Sequence, residues 1–374
     1  MQIKNMFEEI RTQAPGRINL IGEHTDYNGG FVLPAAIDKN TKVLIKLNGT
    51  EQVVNARSLN YNESFTFQLS NFNRLESGWQ NYVMGVVAEV QKLNNTITGF
   101  DLEFEGNVPI GSGMSSSAAL ECSLAYALNE LFELNLSKIQ LIEASQLAEH
   151  NFVGTRCGIM DQFTSVMGKK DHAILLDCST MEHKYFPLKL NEYEILLLNT
   201  NVSHNLATSE YNTRRQECEL GLEILSKTYA NCFSFRDFTI NQLNDSRQLM
   251  TETVYQRCRH VLTENNRVLS ATQALVDGKI HILGRLMYQS HQSLQYDYNV
   301  SCAELDYLVS QTIGKDYILG SRMMGGGFGG CTISLIDKNK TEAFIVEIKK
   351  AYLSKFNIEL IPYRVSIDDG ARVI

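Results

Sequence analysis

The sequence predicts an α+β protein of two domains, and three observations carry the prediction. At 374 residues the chain exceeds what one small core accommodates. Its first half mixes alternating strand patterns with helical spacing, in the order strand, loop, helix. Its second half is mostly helical in pattern and closes on a glycine run, a strand, a helix and a last strand.

Residues 41 to 47 and 100 to 104 read as strands, the second with Phe100, Leu102 and Phe104 on one face against Asp101 and Glu103. A loop of glycine and serine follows, after which Leu120, Leu124, Leu128 and Leu131 recur at helical spacing. Residues 136 to 152 predict a second helix that stops near Gly154, with strands beyond it at 173 to 177 and 194 to 199. From Asn205 to residue 313 helical patterning is nearly continuous, broken around 231 to 245 and at 277 to 278. Five glycines among positions 325 to 330 then lead to a strand at 331 to 335, a helix at 341 to 356 and a strand near 358 to 366. With no internal repeat and no Pro- or Ser-rich linker, the expected domains are 1–185 and 186–374, packed directly together.

Composition narrows the partners. With 44% apolar and 20% charged residues the chain reads as globular, and a net charge of -8 disfavours nucleic acid and anionic membrane as partners. A small molecule suits it better, and no obligate protein partner is evident. No stretch approaches the ~20 apolar residues of a membrane span, and the opening MQIKNMFEEIRTQ has no apolar core of a secretory signal. A cytoplasmic location is expected. Eight cysteines, from Cys122 to Cys331, show no C-x-x-C pair and no zinc spacing, so they read as reduced, mostly buried thiols.

Four segments carry chemistry. APGRINLIGEHTDYNGG, at 14 to 30, crowds Arg17, Glu23, His24 and Asp26 into one polar stretch. Buried, such charges need partners, and a ligand is one candidate. NVPIGSGMSSSAALECS, at 107 to 123, offers Gly111 and Gly113 for close backbone approach and Ser115, Ser116 and Ser117 at a helix start, where free N–H groups favour phosphate. A plain serine N-cap after a turn is the open alternative. No lysine completes a Walker loop, and Ser116 stands where a dinucleotide fingerprint needs its third glycine. SRMMGGGFGGCTISLI, at 321 to 336, joins glycines directly to an apolar strand, which points to close backbone approach by another loop or a ligand rather than to a linker. In AEHNFVGTRCGIMDQF, at 148 to 163, Asp161 lies among apolar neighbours as a credible general base, in or just after a loop, while Glu149 near a helix end says little by itself.

In this order the motifs resemble those of the GHMP small-molecule kinases. PIGSGMSSSAA at 109 to 119 is similar to the family's ATP loop and GGGFGGC at 325 to 331 to its third motif, while GRINLIGEHTDYNGG at 16 to 30 resembles the signature of the galactokinase branch. GIMDQF at 158 to 163 and SEYNTRR at 209 to 215 match as well, so the resemblance runs through nearly the whole chain. It implies an N-terminal domain like ribosomal protein S5 domain 2, a C-terminal ferredoxin-like α/β sandwich and an active site between them. It also implies transfer of the γ-phosphate of MgATP to the C1 hydroxyl of α-D-galactose, giving galactose 1-phosphate and ADP, the entry to galactose catabolism by the Leloir pathway. Carried over by position, Asp161 would be the catalytic base and Arg17 the cation beside it. Glu23, His24, Thr25, Asp26 and Tyr211 would bind the sugar. Gly111, Ser112, Gly113, Met114, Ser115, Ser116 and Ser117 would wrap the ATP phosphates, and Ser117 and Glu149 would hold Mg2+, a hard ion that takes oxygen ligands. Ile18, Met114 and Ala119 depart from the family's commoner valine, leucine and serine, with little mechanistic weight.

Two rival readings differ at identifiable residues. A GHMP kinase acting on mevalonate or homoserine would keep the serine loop but lack the cluster at 23 to 26. A sugar sensor without turnover would alter the helix start at 115 to 119, which is uninterrupted here.

Overall fold

The computed structural model describes residues 9–202 and 207–374. Along them run β1 (Glu9–Asn19), β2 (Phe31–Val32), β3 (Pro34–Leu47), β4 (Val53–Ser58), β5 (Glu63–Gln68), β6 (Phe100–Gly106), β7 (His172–Asp177), β8 (His183–Pro187), β9 (Tyr193–Asn199), β10 (Ile318–Met324), β11 (Cys331–Asp337), β12 (Ile361–Val365) and β13 (Arg372–Val373). The helices are α1 (Gln80–Leu93), α2 (Ser116–Leu131), α3 (Lys138–Ala148), α4 (Met160–Met167), α5 (Ala207–Thr228), α6 (Ile240–Asp245), α7 (Glu252–Val276), α8 (Ile280–Ser293), α9 (Ala303–Ser310) and α10 (Thr341–Phe356).

The first sheet has the order β13-β1-β3-β6-β4-β5 and is antiparallel except where β4 runs parallel to β6. The expected strand at 41 to 47 is the second half of β3. In β6 the alternation holds, with Phe100, Leu102 and Phe104 buried against α1 and α2 in one apolar core. Helix α2 buries Leu120, Leu124, Leu128 and Leu131 as its spacing requires. A second sheet, β10-β11-β9-β12, is antiparallel throughout. Strand β9, intervening helices, β10, β11, α10 and β12 follow one another as the split β-α-β arrangement of a ferredoxin-like domain. A small third sheet pairs β2, β7 and β8. These sheets and helices give the α+β content that was expected, with the ferredoxin-like arrangement in the second half of the chain.

Two local irregularities aim the functional segments. The β1–β3 register shifts between Pro15 and Arg17, a bulge that turns the strand where its polar motif begins. Gly16 sits at the shift because a Cβ there would lie 2.5 Å from the Met114 carbonyl oxygen. Helix α3 opens with a Ser137–Gln140 capping box and runs into a single π-helical stretch, Glu149–Val153, which Gly154 ends at φ 94°. The helix expected at 136 to 152 is therefore present, but its last turn is widened at Glu149.

Strands β1, β2, β4, β5, β8, β10 and β13 and helices α1 and α4 have no counterpart in the sequence reading. Central β1 is buried on both faces from Thr12 onward, so it shows no alternation. The inward residues of β4 are Val54, Ala56 and Ser58, a face too small and too polar to stand out. The interruption at 231 to 245 holds a 3-10 turn and α6, and Gly278 separates α7 from α8. Asn205, the expected start of the helical region, lies outside the described residues, as does the start of the expected first domain. Residues 185 and 186, its expected border, both lie within β8. All eight cysteines are free thiols. Cys122, Cys218, Cys258 and Cys331 are buried while the other four are partly exposed, so burial covers half rather than most of them. Among the described residues no helix is long and apolar enough to cross a membrane.

Helix α8 reaches the second sheet through paired glycines. A Cβ on Gly284 would stand 2.2 Å from the Leu319 carbonyl oxygen, and one on Gly320 would stand 2.2 Å from that of Gly284. Both obstructions are backbone and cannot rotate away. Gly284→Ala should therefore cost about 3 kcal/mol through overpacking, read as a lower urea midpoint; an unchanged midpoint would refute this contact.

Candidate active site

The β1 bulge, the start of α2 and the start of α4 converge on one carboxylate. Asp161 is the second residue of α4, where the helix N-terminus favours negative charge. Arg17 grips it bidentately, Nε to Oδ1 at 2.8 Å and Nη2 to Oδ2 at 2.9 Å. Ser115 Oγ donates to Oδ2 at 2.5 Å. The remaining Arg17 nitrogen donates to the Gly113 carbonyl, and the Arg17 amide to that of Met114 at 3.1 Å, so the arginine is fixed to the serine loop as well. Burial works against its charge, yet the carboxylates of Asp161, Glu23 and Asp26 raise its pKa.

Ser115 is not a capping residue. It precedes α2 in a left-handed conformation at φ 61° and its side chain makes no cap bond, being turned to Asp161 instead. Gly111 has open space around it, whereas Gly113 and Gly325 pack face to face, with 3.1 Å between a Cβ built on Gly325 and the Gly113 Cα. The glycine run thus makes a close approach to the serine loop. Ser112 Oγ is bonded to the Pro109 carbonyl at 2.5 Å and Met114 is fully buried, so the side chains of these two residues face inward. Ser116 and Ser117 border a cavity walled by Tyr61, Trp79, Tyr82, Ile110 and Leu120.

The turn after β1 is clamped from the opposite side. Gly22 and His24 both have positive φ, 103° and 62°. From α7, Glu264 accepts the Gly22 amide at 2.9 Å, His260 meets the Glu23 carbonyl at 3.0 Å and Asn265 Oδ1 accepts the Phe31 amide at 2.8 Å. From β10, Arg322 donates to the carbonyls of Asn19 and Leu20 and pairs with Glu23 Oε1 at 3.0 Å, an oxygen that also accepts the Gly325 amide at 2.8 Å. Thr25 Oγ1 lies 2.9 Å from the Gly22 carbonyl and 2.7 Å from that of Phe31, closing the turn.

Arg17, Glu23, His24, Asp26, Asp161 and Tyr211 share one cavity of about 140 Å³, with Glu149 in its wall. His24 meets the Tyr27 hydroxyl at 2.8 Å through Nδ1, while its buried Nε2 has no partner. Burial, aided by His260 and Arg214, lowers the His24 pKa to about 3, which leaves the ring neutral. Burial and the nearby Asp161 push Asp26 up to about 7. The Tyr211 ring lies 5.4 Å from His24 and 5.1 Å from Tyr27. Glu149 is raised to about 7 by burial and then by Asp161.

Most of the sequence-derived set is therefore brought together, but Thr25, Ser112 and Met114 point their side chains into the protein. Four other residues support the site and were not singled out from the sequence. Gln162 Nε2 donates to Glu149 Oε2 and to Glu121 Oε2, both at 3.1 Å, and Glu121 is fully buried. Burial, then Glu149, drives the Glu121 pKa well above the carboxylate range. Glu121 is the one charge in SSAALECSLAYAL, and Arg322 the one charge in ILGSRMM; a lone charge in an apolar element was the available signal. Glu264 lies in a helix rich in charges, where nothing sets it apart.

The GHMP kinases N terminal domain family matches residues 81–169 and the GHMP kinases C terminal family residues 271–354. A crystal structure of Methanococcus jannaschii mevalonate kinase superposes with a TM-score of 0.64 over 98% of this chain and 100% of that one at 19% identity, a likeness of fold. The class of protein so defined is the GHMP kinases. The galactokinase galactose-binding signature matches residues 5–47. "Galactokinase" of Thermotoga maritima is 45% identical, covering 98% of this chain and 100% of its own, and that of Clostridium acetobutylicum is 42% identical, covering 100% and 97%. The crystal structure of Lactococcus lactis galactokinase complexed with galactose superposes with a TM-score of 0.94 at 35% identity, over 99% of this chain and 96% of that one. The chain belongs to the galactokinase family.

Two outcomes follow for the clamp and the cavity. Arg322→Met strands the Glu23 carboxylate in the interior, at a cost of about 3–5 kcal/mol to be read by chemical denaturation; a loss below about 1 kcal/mol would rule out Arg322 as the clamp on this turn. Between its ordinary pKa of 3.8 and the folded value of about 7, Asp26 holds a proton in the fold that the unfolded chain has released. Its contribution to stability is thus full at low pH and is lost as pH rises towards 7. The stability of the wild type relative to Asp26→Asn should fall from pH 4 to pH 7 in ligand-free protein, by denaturation at each pH, and a flat difference would contradict the assignment.

Proposed function

We propose that this chain transfers the γ-phosphoryl group of ATP to the C1 hydroxyl of α-D-galactose, giving galactose 1-phosphate and ADP. The observation that carries the reading is Asp161, held by Arg17 and Ser115 at the point where the polar cavity meets the serine loop. Oδ2 accepts from Arg17 and Ser115, and Arg17 Nε and Nη2 both lie 2.8 Å from Oδ1, so the carboxylate is fixed in direction where it borders the cavity. Galactose fits a cavity of mixed carboxylate, imidazole and phenol groups, and the unpartnered Nε2 of His24 supplies a site for a hydroxyl.

In the transfer the C1 hydroxyl gives its proton to Asp161 as its oxygen forms the new bond to the γ-phosphorus. The bond from that phosphorus to the bridging oxygen breaks, its electron pair leaving on ADP. Arg17 stays on Asp161 and adds positive charge beside the transferring group. The amides of residues 111 to 117, at the start of α2, suit the phosphates, and the aromatic cavity beside Ser116 and Ser117 suits the nucleobase.

Magnesium fits the donors available. Ser117 offers a hydroxyl and Glu149 a carboxylate, both hard oxygens, and burial, then the nearby Asp161 carboxylate, raises the Glu149 pKa. When bound, the ion would neutralise charge on the phosphates. A cytoplasmic enzyme accords with eight unpaired thiols.

A coupled assay of ADP release over galactose, N-acetylgalactosamine, glucose, arabinose, mevalonate and homoserine tests the reading. Turnover should need both galactose and Mg2+, and higher turnover with another acceptor would overturn the specificity. Asp161→Asn should bind galactose normally by calorimetry and lose about 10²–10⁴-fold in turnover; full activity would exclude Asp161 as the base.

A further inference from the structure

We propose that Gln162 is a positioning residue of the reaction centre, holding the Glu149 carboxylate in place from an anchor on Glu121. The inference rests on the reading of Glu149 as a magnesium ligand.

Gln162 and Asp161 are neighbours in the first turn of α4, yet they serve different partners. Asp161 is held by Arg17, while Gln162, with no exposure, places one amide nitrogen 3.1 Å from an oxygen of Glu149 and 3.1 Å from an oxygen of Glu121. Glu149 needs such a hold because it stands where α3 widens into its π turn, and a glutamate there has several rotamers open to it. Its other contact is the weak thiol donor of Cys157, 3.7 Å away.

The anchor has a geometric reason as well. Glu121 lies four residues after Ser117 on α2, one turn along the same face. The hydrogen bonds from Gln162 therefore tie Glu149 to α2, the helix that carries Ser117, and α4 carries the base and the tie on adjacent residues. A carboxamide is the group the position requires. It donates hydrogen bonds without bringing a net charge, so Glu149 keeps the negative charge a cation would meet, which a lysine or arginine here would cancel. No cation pairs with Glu121 among the described residues, and Glu121 Oε1 and Gln162 Oε1 are both buried without partners.

The test compares wild type with Gln162→Met, Glu121→Met and Glu149→Gln. Calorimetry gives the affinity for a non-hydrolysable ATP analogue with and without Mg2+ in the presence of galactose, and turnover is followed against free Mg2+. In Gln162→Met the tightening of analogue binding by Mg2+ should shrink at least fivefold, and the Mg2+ needed for half-maximal turnover should rise at least fivefold. Galactose affinity should stay within twofold, and Glu121→Met should shift the same way. Unaltered Mg2+ dependence in Gln162→Met overturns the inference whatever its melting temperature, as does an equal loss of galactose binding. If that variant does not fold, Glu121→Met decides by the same measurement. Normal Mg2+ dependence in Glu149→Gln would instead overturn the reading of Glu149, so the two failures are told apart.

Discussion

Arg322 has no exposure, and its guanidinium is engaged on every side, by Glu23 and by the carbonyls of Asn19, Leu20 and Met323. A guanidinium taken out of water is tolerated only when its donors are met and its charge is balanced. Asn19, Leu20 and Glu23 lie at the end of β1 and in the turn that follows it, while Arg322 and Met323 belong to β10 of the second sheet. The pair therefore fixes the distance between the strand that carries Arg17 and the glycine run that follows Arg322. If it slipped, Gly325 would leave both the Glu23 carboxylate and the Gly113 backbone, and the serine loop would lose its floor.

The site draws on the same rule twice. At Asp161 a carboxylate is matched by one guanidinium and one hydroxyl. At Glu149 and Glu121 two carboxyls share one amide, with only the Cys157 thiol besides at Glu149, and burial followed by a neighbouring carboxylate raises both. Balanced and unbalanced carboxyls lie side by side, which suits a centre that handles a polyanion together with a divalent cation.

Much of this was legible in the sequence because it depends on local pattern. The alternation of Phe100, Leu102 and Phe104, the leucines of α2 and the glycine preceding β11 each declare their element within a few residues. The candidate site was legible because its polar residues are concentrated in short motifs. What the sequence did not disclose is which of those polar groups face a ligand and which face the protein. Thr25 is committed to two backbone carbonyls, Ser112 to another, and one oxygen of Glu23 to Arg322, 299 positions away. Partnerships of that range leave no periodic trace. For the same reason β1, buried on both faces, and β4, whose inward face is small, passed unnoticed.

Strand β13 pairs with β1, placing Val373 opposite Thr12, and the Ile374 amide reaches the Arg11 carbonyl. The strand that bears Arg17 is thus flanked on one side by a segment more than 350 positions distant. Contacts of such separation form late, because the entropy of closing the intervening loop is lost before any bond repays it. The brevity of β13, two residues, makes its closure reversible, so hydrogen exchange along the outer edge of β1 should be the first place where opening of the native state is felt.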